Sequence, residues 1–277
     1  MHIPKTSGVA LTNSFVEALT PRLAVYGFDR SLFGGFDAFD TVQADLRHTI
    51  YLDPASVPPE ANFVSAHMSF TTLAQAYKKA QYVTVLREPM SRLISHWLYW
   101  RTQSDEAMLA WGKWAQHVSL ARQPLAAFLS YDEIACQTDN LTIRMLLWPH
   151  PLIPDRSFID KTADKILVDE ALTRLRRFAF ADVIENSAFR ANLQSWIGRS
   201  IANHRVNETP AMPFGLKSAL HNELTANALD LVATRSRLDR EVWTTLARQR
   251  ESDLDVETLR ERTLITNVAR HSWLMMA

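Results

Sequence analysis

The chain has 277 residues, of which 47% are apolar and 22% charged, a composition that excludes a disordered or fibrous protein. Its 30 basic and 30 acidic residues give a formal net charge of zero, so no global field attracts nucleic acid or an anionic membrane. A single cysteine, Cys136, excludes an intrachain disulfide. No apolar run approaches the roughly 20 residues that span a bilayer and no signal peptide is visible, so we expect a cytoplasmic protein without a membrane span.

The first half of the chain is predicted to alternate helices with strands. Its predicted elements are a helix at 9–19, a loop at 27–40, a strand at 62–67, a helix at 71–80, a strand at 82–86, and helices at 89–100, 106–121 and 124–130. Apolar residues at Leu11, Phe15 and Leu19 recur with helical spacing, and Pro21 ends the pattern. The run from 82 to 86 is rich in β-branched residues and is typical of a buried strand.

The second half is predicted to be mainly helical. Its predicted elements are helices at 139–147 and 160–177, a strand at 178–184, a helix at 187–197, a loop at 202–215 and helix over most of 216–277. Asp139 is a candidate helix cap, and Gly198 a helix stop. Strands that alternate with helices predict a helix-rich α/β fold with a mostly parallel sheet. We expect one domain over 1–277, with a helical C-terminal part from about 216.

The opening residues carry the first candidate binding motif. Lys5, Thr6, Ser7 and Gly8 follow one another just before the first predicted helix. Backbone N–H groups in the first turn of a helix bind anions, and here the ammonium group of Lys5 and the hydroxyl groups of Thr6 and Ser7 lie beside them. The motif predicts a site for phosphate or a phosphate-like group.

The second candidate motif runs from Arg87 to Ser95. Arg87 leaves the end of the predicted strand 82–86, and Ser95 follows on the next helix. In open α/β sheets, ligands bind beyond the carboxyl ends of strands, and a guanidinium group there suits a phosphate. Two separate anion motifs predict a ligand that carries phosphate at two ends.

These two motifs together resemble those of the carbohydrate sulfotransferases, above all the heparan-sulfate 2-O-sulfotransferase-like group and its bacterial members. The segment from His2 to Gly8 is similar to that family's 5′-phosphosulfate loop, and the segment from Leu86 to Ser95 to its 3′-phosphate motif. The resemblance implies a P-loop-like fold of three layers with a central parallel sheet. It also implies 3′-phosphoadenosine 5′-phosphosulfate as the sulfuryl donor, without a metal.

The resemblance also implies roles for individual residues. Lys5 would stabilise the charge of the departing phosphate, and the segment from Lys5 through Thr6, Ser7, Gly8, Val9 and Ala10 would bind the phosphosulfate. Arg87 and Ser95 would bind the 3′-phosphate. Val9 and Ala10 replace the hydroxyl residues usual in the family, so we expect weaker donor binding. No strand precedes the loop in this sequence, and we therefore expect the first strand of the sheet to be missing or truncated.

A general base must take the proton of the acceptor hydroxyl. His67 follows a predicted strand and is our candidate, with His48 and His96 as alternatives. The acceptor, a carbohydrate or another hydroxyl-bearing molecule, is not encoded in any motif. Trp97, Trp100, Trp111 and Trp114 either stack on sugar rings or pack in the core.

Several features leave alternatives open. Asn140 and Arg144 share a helical face and either contact the acceptor or form a structural pair. Glu185 and Cys136 are predicted to be structural. A non-catalytic or decayed sulfotransferase-like binding protein is the alternative function, because the phosphosulfate loop has no strand before it. A P-loop nucleotide kinase is disfavoured, since the usual order of glycine, lysine and hydroxyl residues is absent.

Overall fold

The computed structural model describes residues 1–202, 212–213, 216, 220–251 and 255–276. Most of the loop predicted at 202–215 lies outside the described residues. Among those described, no helix is long and apolar enough to cross a membrane. The helices are α1 (Gly8–Leu19), α2 (Ala44–Arg47), α3 (Phe70–Ala76), α4 (Pro89–Arg101), α5 (Asp105–Leu109), α6 (Ala115–Ser119), α7 (Leu125–Phe128), α8 (Ala135–Thr138), α9 (Leu141–Leu147), α10 (Asp164–Leu175), α11 (Phe189–Ile197), α12 (Leu220–Glu223), α13 (Ala226–Arg235), α14 (Arg237–Arg250) and α15 (Val256–Met276).

The described strands are short and all pair in parallel. They are β1 (Ala24–Val25), β2 (Phe28–Asp29), β3 (Ile50–Tyr51), β4 (Phe63–Val64), β5 (Val83–Leu86) and β6 (Phe180–Val183). They form three two-stranded ladders, β1 with β4, β2 with β3, and β5 with β6. A bridge between Phe28 and His67 joins the first two ladders. The helix-rich architecture with short parallel strands is compatible with the predicted helix-rich α/β class, although the described strands form three two-stranded ladders rather than one central sheet.

The N-terminal residues connect β4 to β5. The His2 N–H donates to the Ala66 carbonyl at 3.0 Å, and the Met1 nitrogen donates to the Val83 carbonyl at 2.8 Å. Ile3 is fully buried in the main core. The loop that follows these residues therefore starts between the β1–β4 and β5–β6 ladders.

Helix α4 runs through the centre of the molecule and carries the second motif. Its N-terminus begins at Pro89, and the buried Glu88 carboxylate accepts hydrogen bonds from the Met90 and Ser91 N–H groups at 3.1 and 2.7 Å. All of its residues except Tyr99 are buried. Helices α6, α13 and α15 pack against it, so the side chains of α4 are held firmly in place.

The three predicted strands and the helices at 9–19, 89–100 and 187–197 are confirmed, whereas β1, β2 and β3 were not predicted. Each of these three has only two residues, too few for a periodic pattern. The helical stretch predicted at 106–121 is confirmed, but it is interrupted. Gly112 has a φ of 56°, a left-handed conformation that divides the segment into α5, a 3₁₀ turn and α6.

The predicted helix cap at Asp139 is wrong. The residue before α9 is Asn140, with a φ of 48°, and its side chain makes no cap hydrogen bond. The carboxylate of Asp239 in α14 instead accepts from the N–H groups of Thr142 and Ile143, both at 3.0 Å. A residue distant in sequence thus provides the cap, which local pattern could not reveal.

Candidate functional site

The first motif forms a tight turn between Ile3 and α1. Lys5 and Ser7 have φ values of 68° and 64°, so two non-glycine residues adopt the left-handed region within three positions. Such conformations cost about 1–2 kcal/mol each and cluster at functional sites. Thr6 is buried, and its hydroxyl donates to the Ile3 carbonyl at 2.9 Å. The turn directs Lys5 and Ser7 to one side and Thr6 to the other.

The turn ends at the N-terminus of α1. The first intrahelical bond runs from the Leu11 N–H to the Ser7 carbonyl at 3.2 Å. The N–H groups of Gly8, Val9 and Ala10 precede it, and the first turn holds no acidic side chain. This helix end therefore presents backbone donors and the positive pole of its dipole to an anion.

Gly8 is required by the ring of His2. A methyl group added at Gly8 would lie 1.6 Å from Nε2 of His2, far inside van der Waals contact. We expect Gly8→Ala to lower the free energy of unfolding by about 1–3 kcal/mol, as overpacking does in a well-packed site. Urea denaturation measures this change. The double variant His2→Ala/Gly8→Ala removes the clashing ring, and should recover most of the loss. Equal losses in the single and double variants would contradict this account.

A cavity of about 740 Å³ lies in front of this turn, within the size range of small-molecule sites. Of the nine predicted site residues, Thr6 does not line it. The other eight do: Lys5, Ser7, Gly8, Val9, Ala10, His67, Arg87 and Ser95. Among the described residues that line it, Lys5, Arg87 and Arg270 are basic and none is acidic, so the cavity suits an anionic ligand.

The second motif meets the first at this cavity. One guanidinium nitrogen of Arg87 donates to the Lys5 carbonyl at 3.1 Å, and the other donates to Oδ1 of Asn267 at 2.7 Å. The Ser95 hydroxyl also donates to Asn267 Oδ1, at 3.3 Å, and lies 3.0 Å from Nε2 of His271. Arg87 and Ser95 thus converge on one acceptor oxygen, which is the arrangement that a phosphate oxygen would need.

Helix α15 supplies site residues that sequence reasoning missed. Asn267, Arg270 and His271 all line the cavity, and Asn267 and His271 are buried. Their spacing of three and four residues places them on one helical face, which is a sequence signal for a polar stripe. That stripe does not reveal that α15 packs on α4 beside Ser95, which depends on tertiary packing.

Lys5 is the cation that the loop contributes to the cavity lining. Its Nζ lies 4.2 Å from the centre of the Tyr99 ring, a cation–π contact. Burial lowers the pKa of Lys5 to about 8, and repulsion from Arg87 and Arg270 adds to the shift. A bound anion would offset this loss of hydration and keep the ammonium charged.

His67 is held in a defined tautomer. Its Nδ1 lies 2.6 Å from the His2 carbonyl oxygen, which can only accept, so Nδ1 carries the proton and Nε2 has a free lone pair. Burial lowers the pKa of His67 to about 4, against an opposing contribution from this hydrogen bond. The ring packs beside those of His2 and Phe28, with centroids at 4.2 and 5.5 Å. At neutral pH the side chain is a neutral proton acceptor at the cavity wall.

The alternative histidines differ from each other. His96 is buried and lines the cavity, and neither of its ring nitrogens has a hydrogen-bond partner in the structure. Burial lowers its pKa well below the usual value. His48 is exposed at the end of α2 and does not line the cavity. His96 therefore remains a candidate base beside His67, whereas His48 is outside the site.

Aromatic side chains form part of the cavity wall, and one of them, Tyr99, lies against the Lys5 ammonium. They are Phe28, Phe33, Tyr99, Trp100, Trp111 and Trp114. Of the four tryptophans considered from the sequence, Trp97 is fully buried in the core and donates to the Gln123 carbonyl at 3.4 Å. Trp100 and Trp114 also line the cavity but are buried in the same core, so core packing accounts for them. Trp111 is only partly buried and is the one of the four that is available to stack on a sugar ring or another flat ligand.

Four further residues singled out in the sequence are structural. Arg144 forms a buried ion pair with Asp139 at 3.0 Å, and Asn140 accepts from the Leu238 N–H at 2.8 Å. Glu185 accepts from the Glu88 N–H at 2.8 Å, and burial raises its pKa to about 7. Cys136 is buried, as predicted, and burial raises the pKa of its thiol to about 12.

Comparison of the chain with protein-family models, with curated proteins and with solved structures finds no match in any of the three. A proposal of function therefore depends on the geometry of the cavity and on the two motifs.

Proposed function

We propose that this chain is a sulfotransferase that moves a sulfuryl group from 3′-phosphoadenosine 5′-phosphosulfate to a hydroxyl of a carbohydrate or similar acceptor. The observation that carries the proposal is that Lys5, the N-terminus of α1, Arg87 and Ser95 line a single cavity without an acidic side chain among the described residues. The P-loop-like fold of three layers and a cytoplasmic location, where this donor is expected, are parts of the same proposal.

The donor would be bound from two elements. The backbone N–H groups of Gly8, Val9 and Ala10 and the charge of Lys5 suit the phosphosulfate. Arg87 and Ser95 suit the 3′-phosphate, in place of the amide oxygen of Asn267 that they contact in this structure. The aromatic wall suits the ring of the acceptor.

We infer the transfer step from this proposed mode of binding. Nε2 of His67 takes the proton of the acceptor hydroxyl while the oxygen of that hydroxyl forms a bond to the sulfur of the donor. The bond from sulfur to the bridging oxygen breaks, and 3′-phosphoadenosine 5′-phosphate leaves with the electron pair. Lys5 stabilises the negative charge that develops on this leaving group.

Binding of 3′-phosphoadenosine 5′-phosphate tests the proposal without knowledge of the acceptor. At a concentration of about 100 times its Kd, a ligand stabilises the folded state by about 2.7 kcal/mol, which corresponds to a rise in Tm of about 5–10 °C. Arg87→Ala should abolish the rise, while Arg176→Ala, at an exposed arginine of the surface, should retain it. The absence of a rise in the parent protein would refute the proposal.

A decayed, non-catalytic binding protein is a second candidate, favoured by one observation. Val9 and Ala10 contribute no hydroxyl group to the first turn of α1, although both line the cavity. This candidate predicts a rise in Tm with 3′-phosphoadenosine 5′-phosphate but no consumption of the phosphosulfate donor. The sulfotransferase proposal predicts both.

The side-chain oxygen of Asn267 accepts hydrogen bonds from Arg87 and Ser95, so it competes with a phosphate for these two donors. Asn267→Asp would place a carboxylate of the same shape against Arg87, and charge-assisted hydrogen bonds are about twice as strong as neutral ones. We expect the affinity for 3′-phosphoadenosine 5′-phosphate to fall by about tenfold, as measured by calorimetry. Asn62→Asp, at an exposed position away from the cavity, is the control. Unchanged affinity of Asn267→Asp would show that the phosphate does not bind there.

A further inference from the structure

His271 lies on α15 and lines the cavity beside the second motif. Its side chain is buried, and the transfer step proposed above does not use it. Nε2 of the ring lies 3.0 Å from Oγ of Ser95. Nδ1 is buried and has no hydrogen-bond partner among the described residues. The ring therefore meets the second motif through Nε2, at the hydroxyl group that is proposed to bind the 3′-phosphate.

The imidazole ring of His271 is neutral at neutral pH, because burial lowers its pKa to about 3. Repulsion from Arg87, Arg270 and Lys5 adds to the shift, and the described residues that line the cavity include no acidic side chain to offset it. A neutral imidazole carries one hydrogen, on either Nδ1 or Nε2. The position of that hydrogen decides whether Nε2 donates to Ser95 or accepts from it.

The hydroxyl group of Ser95 likewise has one hydrogen to donate. Nδ2 of Asn267 donates to the Ser91 carbonyl at 3.1 Å, which turns Oδ1 of the same amide towards Arg87 and Ser95. When Ser95 donates to Oδ1 at 3.3 Å, its contact with His271 is a hydrogen bond only if Nε2 carries the ring hydrogen. The hydrogen bonds then run in one direction, from His271 to Ser95 and from Ser95 to Asn267.

The reverse direction is less favourable. If Ser95 donated to Nε2, the ring hydrogen would lie on Nδ1, which is buried without an acceptor in the part of the chain that the structure describes. Buried N–H groups without an acceptor are rarer in proteins than acceptors without a donor. Oδ1 of Asn267 would also lose Ser95 as a donor. These contacts favour the tautomer of His271 with its hydrogen on Nε2.

We propose that His271 is a positioning residue for the 3′-phosphate: its Nε2–H group donates to Oγ of Ser95, so the single hydrogen of that hydroxyl points to the phosphate. The inference rests on the proposed function, in which a phosphate oxygen takes the place of Oδ1 of Asn267. The oxygens of a phosphate dianion only accept hydrogen bonds, so Ser95 must supply the hydrogen. A bare nitrogen 3.0 Å away would compete for it. His271 thus contributes to the preference for nucleotides that carry a 3′-phosphate.

Calorimetry with two nucleotides measures this preference. Adenosine 5′-phosphate lacks the 3′-phosphate and is the matched control for 3′-phosphoadenosine 5′-phosphate. His271→Leu should weaken binding of 3′-phosphoadenosine 5′-phosphate by about tenfold, the order expected for the loss of one hydrogen bond in a charged site. Its affinity for adenosine 5′-phosphate should not change. His271→Gln keeps an N–H donor and should retain most of the affinity for both, as should His48→Leu, at an exposed histidine outside the cavity.

A double-mutant cycle with Ser95→Ala separates positioning from a general structural role. Without the Ser95 hydroxyl the ring has nothing to orient, so His271→Leu should then change the affinity for 3′-phosphoadenosine 5′-phosphate by less than about twofold. A merely structural role would weaken binding in both backgrounds. Equal losses with and without the hydroxyl group would therefore overturn the proposal.

Nitrogen NMR of the histidine rings in the parent protein decides the matter if His271→Leu does not fold. With 3′-phosphoadenosine 5′-phosphate bound, Nε2 of His271 should carry a hydrogen, and a hydrogen on Nδ1 alone would overturn the proposal. If the parent protein does not bind this nucleotide, the proposed function fails and this inference with it. If the parent binds it and His271→Leu binds it equally well, this inference alone fails.

Discussion

Lys5→Ala is expected to lower turnover of 3′-phosphoadenosine 5′-phosphosulfate by about 10²–10³-fold, because removal of one preorganised donor to a developing charge typically costs that much. Release of 3′-phosphoadenosine 5′-phosphate, with a simple glucoside as added acceptor, measures the effect. Lys161→Ala, at an exposed lysine, should leave turnover unchanged. Full activity of Lys5→Ala would remove the lysine from the mechanism, even if the donor still binds.

The same residue predicts an alkaline limit of activity. Burial lowers the pKa of Lys5 to about 8, so in the free protein its charge is present below that pH and is lost as the pH rises through it. The apparent affinity for 3′-phosphoadenosine 5′-phosphate should therefore fall above about pH 8. Lys5→Arg stays protonated over this range and should not show the fall. A flat profile in the parent protein would contradict the role of the Lys5 charge.

Local pattern in the sequence predicted the framework of the site well. The run at 82–86, the proline at Pro89 and the serine at Ser95 are features of adjacent residues, and the structure places Arg87 and Ser95 at one cavity wall. The anion-binding loop before α1 is also predicted from local pattern, because a lysine and hydroxyl residues before a helix form a local motif. Parallel pairing followed from the alternation of strands and helices.

The remainder of the site depends on contacts between distant residues. Asn267 reaches Arg87 across 180 positions of sequence, and its role arises only when α15 packs on α4. The direction of the Thr6 side chain is set by the positive φ values of the residues on either side of it, Lys5 and Ser7. Neither a lysine nor a serine indicates a positive φ in the sequence, so this direction could not be predicted. The tautomer of His67 depends on the carbonyl of His2, which the fold brings to 2.6 Å.

That tautomer leads to the other large predicted effect. His67→Asn should lower turnover of the donor by about 10²–10⁴-fold, the usual contribution of a general base. The amide N–H of asparagine can replace Nδ1–H as the donor to the His2 carbonyl, so the turn before α1 should persist while the basic Nε2 is lost. Retained binding of 3′-phosphoadenosine 5′-phosphate by this variant separates a catalytic role from a structural one.

His96→Asn is the matched comparison, since His96 lines the same cavity and carries two unpartnered nitrogens. If His67 is the base, His96→Asn retains most of the turnover; the reverse result would assign the base to His96. The pH profile gives a second readout. A base with a pKa of about 4 is neutral above that pH and loses its lone pair to protonation below it, so the acid limb of turnover should lie near pH 4 rather than near the usual pKa of histidine, about 6.5.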